Sequence, residues 1–175
     1  MTGAIEQRFA RGAALEGRQL VGLAAPFNSP TAIADFREQI APGAFTRSLA
    51  SGADVLALAD HDATRVLGRT STGSLALRET DRGLEYRLNL PDTTAGRDLR
   101  ELAQRGDLGG VSFGFRVVRD SWQDELRTLQ EVELHEVSIV QAWPAYPTTT
   151  VSLRSRKMRD FPVSDPRRLW LETCR

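Results

Sequence analysis

A strict alternation of apolar and polar residues runs through Val111-Ser112-Phe113-Gly114-Phe115-Arg116-Val117, and it constrains the fold more than any other feature of the chain. Successive side chains of an extended strand point to opposite faces, so Val111, Phe113, Phe115 and Val117 share one face while Ser112, Gly114 and Arg116 share the other. On a helix the same spacing would scatter the four large apolar groups around the axis. The chain is therefore built on strands with one buried face, and Ser112, lying opposite the phenylalanines, need not belong to the core.

The same pattern predicts further strands over residues 19–26, 54–59, 74–80, 84–90, 126–132, 134–141 and 149–153, with 126–132 and 134–141 apolar on both faces. Asp81-Arg82-Gly83 reads as a hairpin connection, and Asn28-Ser29-Pro30 as a loop. Ala41-Pro42-Gly43-Ala44-Phe45 opens a short helix, with Pro42 at its first position, Phe45 and Leu49 one turn apart, and Gly52 at its end. A second helix over 94–105 aligns Ala95, Leu99, Leu102 and Ala103 and closes at Gly106. Many short strands with two helices imply a mainly β, α+β domain whose sheet closes, or curves strongly, into a barrel with helices packed outside.

At 175 residues and 41% hydrophobic content the chain fits one domain, placed at residues 1–153. Beyond 153 the pattern stops, and residues 154–175 read as a flexible basic tail. They hold seven Lys/Arg against three Asp/Glu, a balance of +4, with a small apolar patch at Leu169-Trp170-Leu171. Over the whole chain 23 basic residues equal 23 acidic ones, which argues against nucleic acid as a partner. No apolar run approaches the roughly 18 residues of a membrane span, so no membrane partner is expected. The lone Cys174 and the absence of a secretory pattern at the start point to a reducing cytoplasm. His61 and His135, 74 positions apart and without partner cysteines, make no zinc pattern, and Gly109-Gly110 lacks the lysine and spacing of a phosphate loop; no metal or cofactor is expected.

Chemistry-bearing residues are few. Ser112 is a candidate nucleophile, and a hydroxyl needs an imidazole to take its proton and a third group to orient that imidazole. Of the two histidines, His61 stands in the polar strand end Ala59-Asp60-His61-Asp62, whereas His135 lies inside a dense apolar strand. Asp60 and Asp62, as immediate neighbours of His61 in extended chain, would point away from its ring.

Phe36-Arg37-Glu38-Gln39-Ile40-Ala41-Pro42-Gly43-Ala44-Phe45, Asp60-His61-Asp62, Leu67-Gly68-Arg69-Thr70, Gly110-Val111-Ser112-Phe113-Gly114-Phe115 and Glu136-Val137-Ser138-Ile139-Val140, with Pro144-Ala145-Tyr146-Pro147 after it, stand in one order. In that order they resemble successive blocks of the tailed-phage prohead maturation proteases. That family is similar to the herpesvirus capsid-assembly proteases, with a β-barrel ringed by helices and a Ser-His pair completed by a third residue. The resemblance implies Ser112 as nucleophile and His61 as general base and acid. It implies Glu136 as the orienting third member, with His135 as the alternative because the herpesvirus relatives use a second histidine. Oxyanion donors are expected among the backbone amides of residues 143–146.

The resemblance further implies a serine endopeptidase of capsid maturation. Its partners would be the major capsid protein precursor, cut in its scaffold region, any scaffold protein and the enzyme itself, inside proheads in the host cytoplasm. A homo-oligomer is compatible with the sequence. The competing function is a non-catalytic β-rich head or scaffold protein of the same fold.

Overall fold

The computed structural model describes residues 4–10 and 13–142. Positions 143–146, the strand expected over 149–153 and the tail at 154–175 lie outside the described residues. In chain order the elements are β1 (Glu6–Ala10), β2 (Ala13–Glu16), β3 (Gln19–Pro26), β4 (Thr31–Ile33), β5 (Phe36–Ile40), α1 (Thr46–Ala50), β6 (Leu56–Ala59), β7 (Asp62–Arg69), β8 (Leu75–Thr80), β9 (Gly83–Asn89), α2 (Thr94–Arg105), β10 (Gly110–Gln123) and β11 (Leu126–Val140).

Strands dominate, as the alternation requires, but the barrel does not form. One sheet runs β1-β10-β11-β5-β4, with β6 also on β11 and β7 on β6; the second runs β2-β3-β9-β8, and neither is closed or strongly curled. Period-two burial requires only that one face be covered, and a second sheet covers it as well as a sheet curling onto itself. Along β9, Leu84, Tyr86 and Leu88 are buried while Arg87 and Asn89 are exposed. The facing side of the larger sheet buries Val111, Phe113, Phe115, Val137 and Ile139 in the same apolar cluster. Helices take only 12% of the described residues, too few to ring a barrel.

An aromatic series ties the sheets together: Phe27 stacks on Phe45 at 6.2 Å, Phe45 meets Phe113 edge-on at 5.8 Å, and Phe113 stacks on Phe115 at 5.1 Å. Each such side chain contributes about 1.5–3 kcal/mol on burial. α2 starts on the Thr93 side chain, which accepts from the Gly96 amide at 3.2 Å, and ends at Gly106 in the left-handed conformation, as its sequence predicts. α1 is shorter than expected: residues 42–45 form turns, and the helix begins only at Thr46. None of the helices among the described residues is long and apolar enough to cross a membrane.

The two strands expected over 126–132 and 134–141 are one strand, β11, with an irregularity inside it. Gly114 pairs with Glu136 and Phe115 with Leu134, so His135 is the unpaired residue of a bulge. The Leu134 amide turns instead to the buried Ser48 hydroxyl of α1, at 2.9 Å.

Two buried polar features are not announced by the alternation. β1 carries almost no apolar alternation, yet it docks on β10 because Arg8 pairs with Glu38 at 2.5 Å and Glu6 at 2.6 Å. Arg127 joins the group through Glu6 at 3.0 Å, Glu38 at 3.1 Å and Asp120 at 2.7 Å. Breaking one member of such a buried set typically costs about 3–5 kcal/mol, because the partner charge is left uncompensated. In the smaller sheet, the Tyr86 hydroxyl is buried with no hydrogen-bond partner among the described residues, and burial pushes its phenol up. Tyr86→Phe removes an unsatisfied polar atom, so a stability gain of about 1 kcal/mol is expected as a higher melting temperature; a drop of that size would mean that the hydroxyl has a partner.

Candidate active site

β10, β11 and β6 lie side by side, antiparallel and then parallel, and bring the candidate residues to neighbouring strand positions. Ser112 pairs directly with Ser138, and Gly114 with Glu136. Opposed residues share a face with Cβ atoms about 4.5–5.5 Å apart, so Ser112, Gly114, Glu136 and Ser138 form one patch opposite the phenylalanines. That face is also covered: Ser112 lies opposite the phenylalanines, as its place in the alternation requires, yet is only 3% exposed.

Gly114 makes the patch possible. A Cβ at this position would lie 2.7 Å from both Cγ and Oε1 of Glu136. Any side chain here would displace the carboxylate.

His61 arrives from the other side of β11. Ala59 pairs with Asp62, so Asp60 and His61 are the central pair of a two-residue hairpin turn, with φ of 51° and 61°. Both being left-handed, the turn is of the type that favours glycine at its second central position, yet a histidine stands there. The expectation that Asp60 and Asp62 do not hold the His61 ring is met, but through turn geometry and not through extended chain. Asp60 instead fixes the turn to the end of β11: its amide donates to the Ile139 carbonyl at 3.0 Å, and its Oδ1 accepts from the Gln141 amide at 2.8 Å. Asp62 accepts from the Thr64 amide and hydroxyl.

So held, His61 Nδ1 lies 2.6 Å from Glu136 Oε1. The Ser138 hydroxyl donates to Oε2 at 2.7 Å, and Gln7 Nε2 of β1 donates to Oε1 at 3.4 Å. Burial pushes the Glu136 carboxyl up, but the hydrogen bonds from His61 and Ser138, the His61 charge and the Gln7 bond more than reverse this and hold it below 4.5. Burial likewise raises Glu6 while its bonds and charge contacts with Arg127 and Arg8 bring it below 4.5. Carboxyls depressed in the folded state contribute stability that is present above their unfolded value and lost as pH falls through the folded one. The melting temperature is therefore expected to hold down to about pH 5 and then fall, less steeply in Glu136→Gln than in the wild-type chain. An identical acid slope in both would show that Glu136 carries none of this dependence.

His135 does not join the site. From the bulge its Nε2 lies buried without a hydrogen-bond partner among the described residues, 3.9 Å from Glu133 Oε1. Nor is Ser112 bonded to His61: its hydroxyl donates to the Arg8 carbonyl of β1 at 2.8 Å. The oxyanion donors expected at 143–146 lie outside the described residues, among which no group of three or more His, Cys, Asp or Glu could hold a metal ion. Gln7, Arg8, Gly114 and Ser138 carry no role in the sequence reading. Ser138 was the findable one, since two residues along a strand from Glu136 means the same face.

A strand serine, a turn histidine and a buried glutamate on neighbouring strands are the parts of a serine hydrolase. The family model described as caudovirus prohead serine protease matches residues 6–163, and the chain belongs to that family. It is thus a phage serine protease of capsid maturation, whose substrates are capsid proteins and whose place of action is the prohead in the host cell. The match runs past position 153 into the first ten residues of the expected tail. No curated protein and no solved structure matches the chain.

Proposed function

We propose that the chain is the endopeptidase that cuts the scaffold region of the major capsid protein precursor, any scaffold protein and itself inside the prohead. Ser112 is the nucleophile, His61 the general base and acid, and Glu136 the orienting third member. The observation that carries this reading is the 2.6 Å contact between His61 Nδ1 and Glu136 Oε1, one strand away from Ser112.

A carboxylate can only accept, so the shared proton sits on Nδ1 and leaves a lone pair on Nε2. For attack, the Ser112 hydroxyl must leave the Arg8 carbonyl and donate to that lone pair instead. His61 then takes the proton as Oγ attacks the peptide carbonyl, and Glu136 stabilises the imidazolium. Returning the proton to the leaving amine gives an acyl-enzyme, which water clears by the same steps in reverse order. Residues 154–175 serve delivery into the prohead and not the chemistry, because confinement with the substrate raises its effective concentration.

The test is incubation of the purified chain with its cognate capsid precursor, with cut ends mapped by mass spectrometry and a fluorophosphonate adduct mapped in parallel. Cleavage with the adduct on Ser112 is expected. A folded protein that neither cuts nor reacts would return the function to the non-catalytic head-protein alternative, and an adduct on Ser138 would move the nucleophile.

A further inference from the structure

We propose that Ser138 is a positioning residue of this site: its buried hydroxyl pins one oxygen of Glu136 so that the other stays aimed at the His61 ring. The proposal rests on the assignment of Glu136 as the third member.

The final torsion of a glutamate side chain is soft and broad, so a single hydrogen bond leaves a carboxylate free to swing. Glu136 is held at both oxygens, with His61 on Oε1 at 2.6 Å and Ser138 on Oε2 at 2.7 Å. The Gln7 bond, at 3.4 Å and on the same oxygen as His61, does not restrain the second one. The Glu136 atoms nearest Gly114 are Cγ, Oε1 and Cδ, while Oε2 takes its restraint from the Ser138 bond.

Packing does not account for a hydroxyl at this position either. Ser138 is 0% exposed in a strand whose next residues inward are Val137 and Ile139, where alanine would fill a similar volume with no polar atom to satisfy. Its proton lies on an ionised carboxylate, which is a weak base compared with an imidazole. Ser138 is therefore held for orientation and not activated for attack, although it directly opposes Ser112.

The experiment compares the rate at which a fluorophosphonate labels the wild-type chain, Ser138→Ala, Glu136→Gln and the double variant, with thermal unfolding of each. Ser138→Ala should label about 10–100-fold more slowly, the usual loss when a group that orients a site residue is removed. In the Glu136→Gln background the same change should cost nothing further, since no carboxylate remains to be aimed. Proton NMR gives an independent reading: the His61 Nδ1 proton, guarded by a fixed acceptor, should exchange with solvent at least tenfold faster in Ser138→Ala. Wild-type labelling and exchange in Ser138→Ala, or an equal loss in both backgrounds, overturns the proposal. A crippled Glu136→Gln beside an unaffected Ser138→Ala sinks the Ser138 role alone, whereas Glu136→Gln labelling at the wild-type rate brings down the underlying assignment and the Ser138 role together.

Discussion

Replacing Ser112 by alanine, or His61 by glycine, is expected to bring cleavage of the capsid precursor down to background, a loss on the order of 10⁶-fold in rate. Under the proposed assignment each removes a step that no neighbouring group performs, Ser112 supplying the attacking oxygen and His61 moving the proton in both directions. Glycine is the replacement at 61 because the residue sits at φ 61°, which glycine adopts without steric cost, so the turn is kept when the imidazole is removed. Triad members act as a unit, so the double variant should be no worse than the worse single one. The measurement is single-turnover cleavage alongside a melting curve, and substantial cleavage by the Ser112→Ala chain would end the serine-peptidase assignment.

How much of this was legible in the sequence depends on which force holds each element. The alternation from Val111 to Val117 and in β9 announces strands because burial of one apolar face stabilises them, and that information is local. α2 is legible for the same reason, with its cap at Gly106. β1 and β5 are different. Glu6, Arg8 and Glu38 read as solvated charges, and only the fold reveals that Arg8 reaches Glu38 30 positions away and that Arg127 reaches Glu6 121 positions away. Such pairs leave no periodic trace.

The open sheets and the bulge escaped for a second reason. A one-sided pattern specifies that a face is covered and not what covers it, so closed and open sheets write the same alternation. Residues 126–132 and 134–141, read as two strands apolar on both faces, give no sign of the one-residue slip at His135 that shifts the pairing of β11 with β10. Among the candidate site residues, Ser112 and His61 stand out by their chemistry before the family resemblance adds to them, whereas Glu136 comes from the resemblance alone; periodicity would leave it an ordinary charged residue. The contact between His61 and Glu136 spans 75 positions and depends on a turn whose left-handed residues the pattern did not announce.

That slip decides the second prediction, in which Glu136→Gln is expected to lower activity by about 10³–10⁴-fold while His135→Gln leaves it within about twofold. Glutamine keeps the shape of the side chain and its room beside Gly114, but it loses the charge that supports the imidazolium. It also changes which ring nitrogen carries the proton. An amide –NH₂ facing Nδ1 can only donate, so Nδ1 must become the acceptor and the proton moves to Nε2, where it blocks uptake of the Ser112 proton. His135 has no such coupling to His61, because its bulge position turns Nε2 toward Glu133 and leaves it without a hydrogen-bond partner among the described residues. A glutamine at this half-buried position alters local packing and stability before it alters chemistry, so its effect belongs in the melting temperature. Cleavage rates of the two variants, measured at a pH where the wild-type chain is fully active, separate the arrangements: a crippled His135→Gln beside an active Glu136→Gln would make the second histidine the orienting group, as in the herpesvirus enzymes.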